Sequence, residues 1–181
     1  MATLVGYTSR HGSTRDIAEC IAVVLAEQGN LAEARPLAEV ADPAGYEALV
    51  LGSPIHGGDW MPDAAVFLRS HAEVLAKRPV WMFSVGLSRA PGGHAEKAAK
   101  APRAVTGVSA TVVPREHRYF AGAIEPGHLP FLSRVVFRLM GGRYGDYRNW
   151  DEIVAWARGI AGALRESGRP VTRAPGGGTH P

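Results

Sequence analysis

The chain has 181 residues, 46% of them hydrophobic and 20% charged, with a formal net charge of +3. That length and balance suit one soluble domain with a full hydrophobic core. No apolar run approaches the roughly 18 residues of a membrane span, the start lacks a signal-peptide pattern, and a single cysteine excludes a disulfide framework or a thiolate metal site, so the expected location is the cytoplasm.

Ala2 to Tyr7 is an apolar run that predicts a strand. It feeds the loop Thr8-Ser9-Arg10-His11-Gly12-Ser13-Thr14 and then a helical pattern with Ile17, Ile21, Val24, Leu25 and Gln28 in phase; Cys20 reads as a packed thiol on that helix. Leu31 to Pro36 predicts a short strand, and residues 46–52 predict another that ends abruptly at Ser53-Pro54. Residues 63–75 carry a helical pattern with Ala64, Phe67, Leu68 and Leu75 inward, and residues 79–85 form a nearly continuous apolar run of the kind found in buried parallel strands. Residues 95–101 predict a short helix, and 105–113 and 117–123 predict two strand pieces separated by Pro114. Residues 131–140 and 151–165 predict helices. From Arg169 the chain has too little apolar content to fold, so residues 1–168 are the expected domain and 169–181 a disordered tail.

Strands alternating with helices predict a three-layer α/β sandwich around a parallel sheet, with ligands beyond the C-terminal strand ends. Three loops lie there: 8–14, 53–60 and 84–93. The first is a hydroxyl-rich turn between a strand and a helix N-terminus, where unpaired amides and the helix dipole favour an anion such as a phosphate. It is neither a P-loop nor a dinucleotide fingerprint, because Gly12 stands alone. Ser13, three residues before Asp16, also reads as the N-cap of a capping box, so helix capping and phosphate binding both remain open for these hydroxyls. The seven histidines are scattered without a ligand pair, and no metal is implied.

With these loops placed, the chain resembles the flavodoxin-like family over most of residues 2–167. Tyr7 to Thr14, followed by Ile17-Ala18, resembles the family's flavin mononucleotide (FMN) phosphate loop. Gly52-Ser53-Pro54-Ile55-His56-Gly57 and Ser84-Val85-Gly86-Leu87 resemble its second and third flavin-contacting loops. The resemblance implies a flavodoxin-like sandwich with a five-stranded parallel sheet of order 2-1-3-4-5 and an extra helix after strand 5. It implies FMN as cofactor, bound by Thr8, Ser9, Arg10, His11, Gly12, Ser13, Thr14, Pro54, Ile55, His56, Gly57, Ser84, Val85, Gly86 and Leu87. A flat, amphipathic ring also needs a side chain over its face, for which Ile55, His56 and Trp60 are candidates.

Within the family, Ala121-Gly122-Ala123, the helix 131–140, Gly141-Gly142 and Trp150-Asp151-Glu152 resemble the order of features in the menaquinone-dependent protoporphyrinogen oxidase group. The chain departs from that group at Glu125-Pro126-Gly127-His128, where the oxidases carry an aromatic and basic stretch. The implied function is an FMN-dependent oxidoreductase passing electrons or a hydride between a small-molecule substrate and a quinone or other acceptor. No side chain is assigned as a catalytic acid or base. Two alternatives stay open: a flavodoxin-type electron carrier with a redox-protein partner, against which the basic net charge counts, and a flavin-free binding domain of the same fold.

Phe131, Leu132, Val135, Val136, Leu139 and Met140 cover one half of the late helix, with Arg134 and Arg138 on the other. This reads as a helix packed on the sheet edge with its arginines in solvent, or as a lid offering them to an acidic substrate or lipid surface; peripheral membrane contact is the most the pattern supports. The aromatic and basic run 143–150 is broken by Gly145, and nucleic acid is rejected as a partner.

Overall fold

In the computed structural model, residues 2–86, 102–124 and 144–167 are described. The expected helices 95–101 and 131–140, residues 125–128 and the tail 169–181 lie outside them. Five strands, β1 (Ala2–Tyr7), β2 (Leu31–Pro36), β3 (Ala48–His56), β5 (Val80–Gly86) and β6 (Glu116–Ala121), form a parallel path in the order β2-β1-β3-β5-β6. This is the expected order, with β4 (Asp59–Trp60) added as an antiparallel hairpin partner of β3. A two-stranded ribbon, β7 (Ala123–Ile124) with β8 (Gly145–Asp146), stands beside the sheet. Among the described residues no helix is long and apolar enough to cross a membrane.

Alternate residues of the central strands feed two separate cores. Val5, Val50, Phe83 and Val85 pack against α1 (Ser13–Glu27) and α5 (Trp150–Ser167) through Ile17, Ile21, Trp156 and Ile160. Leu4, Leu49, Leu51 and Met82 pack against α2 (Pro62–Ser70), α3 (Ala72–Leu75) and α4 (Arg103–Thr106). Both faces are covered, which is why these strands read as unbroken apolar runs in sequence. Cys20 is half-buried against the first core, and burial pushes its thiol up, in keeping with a packed thiol.

Four expectations need correction. Residues 105–113 are not a strand: Val105, Val108 and Val112 are buried at intervals of three and four, on α4 and the turns after it. β-branched composition suggested a strand, but the burial period is helical. β3 does not stop at Ser53-Pro54; it runs to His56 and folds back through Gly57 and Gly58, whose φ values of 61° and 83° suit the two-residue turn of a twisted hairpin. The helix over 63–75 is two helices, broken where His71 leaves helical geometry (φ −114°, ψ 15°). Gly12, not Ser13, is the N-cap of α1; the Ser13–Asp16 capping box is not formed, because both side chains are held by distant residues.

The C-terminal end of the sheet is close-packed. A Cβ on Gly52 would collide with the Phe83 ring, which is itself locked against Phe120 and Trp156. Gly52→Ala should therefore cost about 1–3 kcal/mol by overpacking, seen as a lower urea midpoint at unchanged m-value; a wild-type midpoint would mean that the aromatic cluster can shift.

Candidate functional site

The first loop leaves β1 at Thr8, whose amide bonds the Gly52 carbonyl at 3.0 Å and whose buried hydroxyl donates to Ser53 Oγ at 3.0 Å. Ser9 Oγ accepts the Gly12 amide at 3.1 Å, which leaves its own proton to donate. Gly12 turns the chain at φ 92°, a conformation that strains any residue with a Cβ. The first intrahelical bond of α1 is Asp16 N–H to the Gly12 carbonyl, so the amides of Ser13, Thr14 and Arg15 sit at the open, positive end of the helix. Ser13 Oγ accepts the Ala123 amide at 3.2 Å and reaches back to the Ala123 carbonyl at 3.4 Å, tying the loop to the β7–β8 ribbon.

Thr14 is the exception among these hydroxyls. It is 1% exposed, and its Oγ1 has no hydrogen-bond partner among the described residues. A buried, unpaired hydroxyl costs roughly 1–3 kcal/mol, and such atoms in a native fold call for an explanation. Here it lies at a helix N-terminus beside open amides. An open cleft of about 340 Å³ flanks the same loop on its β2 side, lined by Tyr7, Thr8, Ser9, Arg10, Leu37 and Met61 among others. The cleft does not reach Ser84 or Val85 of the third loop.

The second and third loops meet through a buried polar chain. Trp60 Nε1 donates to Ser84 Oγ at 2.7 Å, and Ser84 Oγ lies 2.8 Å from His117 Nε2. The arrangement that uses each donor once has the Ser84 hydroxyl donating to His117 Nε2, which assigns the ring proton to Nδ1. His117 stacks on Tyr119 with ring centroids 4.6 Å apart, and burial pushes its pKa down to about 4. Ser53 Oγ accepts the Met61 amide at 3.0 Å, and Asp59 Oδ1 accepts the Trp60 and Ala104 amides, so the hairpin is anchored from both sides.

The Flavodoxin domain family profile matches residues 4–148. The chain belongs to the flavodoxin domain family. It is 25% identical over 173 residues to the Escherichia coli K12 protein named protoporphyrinogen IX dehydrogenase (quinone), an alignment spanning 89% of this chain and 95% of that protein. Among solved structures it is similar in fold to a cysteine-to-serine mutant of a flavodoxin from Pseudomonas aeruginosa (TM-score 0.59, 14% identity, 91% and 99% of the two chains). Oxidised flavodoxin 1 from Bacillus cereus is also similar (TM-score 0.58, 15% identity, 87% and 95%).

The described parts of the three sequence-predicted loops, 8–14, 53–60 and 84–86, lie at the C-terminal end of the sheet. Arg10 and His11 are exposed on the first loop; Pro54 and Ile55 are half-buried, and His56 and Gly57 exposed, on the hairpin. Ser84 is fully buried and its side chain faces Trp60 and His117; Gly86 is partly exposed at the strand end, and Leu87 lies outside the described residues. Trp60, expected as a cover for a ring, is 3% exposed and packs into the second core. Sequence reasoning missed His117 and Arg148. Arg148 is 14% exposed at its side chain and binds Asp16 at 2.8 Å and Asp146 at 2.6 Å, partners separated in sequence by 132 and two residues. Burial works to raise the Asp16 carboxyl, but hydrogen bonds from Arg148 and Arg15 prevail and hold it below the usual carboxylate range.

The His117 ring is neutral in the fold down to about pH 4, against 6.5 unperturbed. Between those values the unfolded chain binds more protons, so the stability tied to the neutral ring is complete above about pH 6.5 and is lost as pH falls toward 4. His117→Gln, which cannot take up that proton, should make the stability–pH curve shallower in this window by up to about one proton. Urea melts from pH 7 to 4 measure it, and an unchanged slope would place the ring in water.

Proposed function

We propose that this protein binds FMN and acts as an oxidoreductase on a small-molecule substrate, with a quinone as an acceptor. The single observation that supports the cofactor is Thr14. Its buried hydroxyl is unpaired while Ser13, Thr8 and Ser53 are committed to the protein, and a phosphate supplies the acceptor that Thr14 lacks. Thr14 Oγ1, Ser9 Oγ and the amides of Ser13, Thr14 and Arg15 would hold the phosphate, with Arg10 and His11 at the loop surface. Pro54, Ile55, His56 and Gly57 on the hairpin, with the backbone of Ser84, Val85, Gly86 and Leu87, would border the ring. When bound, FMN supplies transfer of electrons or a hydride.

The protein's part in this reading is orientation and exclusion of water. The β3–β4 hairpin carries Ile55 and His56 past Pro54 and Val85, the last residues paired between β3 and β5, and the Trp60–Ser84–His117 chain ties it to β5 and β6. The relation to the Escherichia coli protein favours an enzyme with a quinone acceptor over a pure carrier. The net charge of +3 points the same way, since it counts against a carrier of the acidic kind.

Thr14→Val separates the two properties of this residue. Removing a buried unpaired hydroxyl should leave the apo-protein as stable or up to about 1 kcal/mol more stable, while FMN binding weakens roughly tenfold through loss of a charge-assisted bond. Flavin fluorescence titration and urea melts read the two effects. A variant that keeps wild-type FMN affinity would remove the phosphate assignment. For the enzyme, photoreduced FMN-loaded protein should be reoxidised by a menaquinone analogue; exchange with one-electron protein acceptors alone would establish a carrier instead.

A further inference from the structure

Asp16 is the acidic side chain of the first turn of α1. Its Oδ1 would lie 4.0 Å from a Cβ placed on Gly12, at the heart of the proposed phosphate loop. An acidic residue there favours the empty helix end, through the dipole, and opposes a phosphate dianion arriving at the same amides. The carboxylate is not left alone. Arg148 approaches one oxygen at 2.8 Å and Arg15 the other at 2.9 Å.

The two arginines are not equivalent. Arg15 is 53% exposed at its side chain and also lies 3.8 Å from Glu19, so it is free to leave Asp16. Arg148 is 14% exposed and held in place by bonds to both Asp146 oxygens, with its guanidinium 4.7 Å above the Trp150 ring. It reaches Asp16 from the far side of the chain, just after the β7–β8 ribbon that Ser13 holds through Ala123. Where the Asp16 carboxylate sits beside the loop is therefore set by Arg148.

Resting on the FMN reading above, we propose that Arg148 is a positioning residue for the phosphate: it holds the Asp16 carboxylate off the open amides, so that the N-terminus of α1 accepts a dianionic phosphomonoester. Arg148 acts through Asp16 and does not need to touch the ligand. A residue outside the three loops thereby acquires a specificity role, favouring phosphorylated over unphosphorylated flavin.

The test compares FMN with riboflavin in four proteins: wild type, Arg148→Gln, Asp16→Asn and the double variant. Arg148→Gln should weaken FMN roughly tenfold and leave riboflavin unchanged. Asp16→Asn should bind FMN at least as tightly as wild type, and in its background Arg148→Gln should have little further effect. Equal weakening of FMN and riboflavin would reduce Arg148 to a structural brace and overturn the inference. An Arg148→Gln loss of the same size with and without Asp16 would overturn it too, because the phosphate would then respond to the Arg148 charge itself and not to its hold on Asp16. Should Arg148→Gln fail to fold, the riboflavin-to-FMN ratio of Asp16→Asn against wild type still decides: a lower preference for FMN in Asp16→Asn overturns the inference. A wild-type protein that binds FMN no better than riboflavin would instead remove the phosphate reading on which the inference stands.

Discussion

β1 lies in parallel register between β2 and β3, and both faces of β1 and β3 are covered by helices. Parallel pairing inside a two-sided core leaves the backbone no partner except the neighbouring strands, and it sends every crossover in the same sense. After β1 the chain turns to the α1 face, while after β3 it turns through the hairpin to the α2 face. The strand ends diverge there, at the switch point where ligands of such sheets bind. Everything at the functional end follows: loops distant in sequence are brought together because the register that buries the core leaves them no other place.

The polar groups near that end divide into those satisfied by the fold and those that are not. Thr8, Ser53, Ser84 and His117 are joined in short hydrogen bonds that link β1 to β3 and β5 to β6. Buried polar chains of this kind stay favourable only when each member is paired, and they fix one geometry when they are. Thr14 breaks the pattern one residue from a helix terminus. A fold that pairs its other site hydroxyls and leaves one buried and unpaired carries a local cost, and such costs gather where ligands bind.

Charge at the same helix end is balanced over a long distance. Asp16 alone would suit the helix dipole and oppose a phosphate; Arg148, delivered by the late segment, changes that balance. The β7–β8 ribbon is thus more than an edge decoration, since one of its strands is bound to Ser13 and the residue two after the other is bound to Asp16.

The central strands β1, β3 and β5, the three-layer arrangement and the first loop were legible in the sequence, because burial on both faces demands unbroken apolar runs and a strand-to-helix turn needs glycine and hydroxyls at particular places. Ala64, Phe67, Leu68 and Leu75 were legible as a buried face for the same reason, although the break at His71 was not, since helical phase survives a short interruption. The valines of 105–112 misled because β-branching suggests a strand locally while their three-and-four spacing answers to packing in the core shared with α2. Which hydroxyls are committed and which is left over, the inward turn of Trp60, the partnership of His117 with Ser84 and the reach of Arg148 to Asp16 were decided only by tertiary structure. Those are contacts between residues 24 to 132 positions apart, and local propensity carries no information about which distant polar group arrives to pair with a given one.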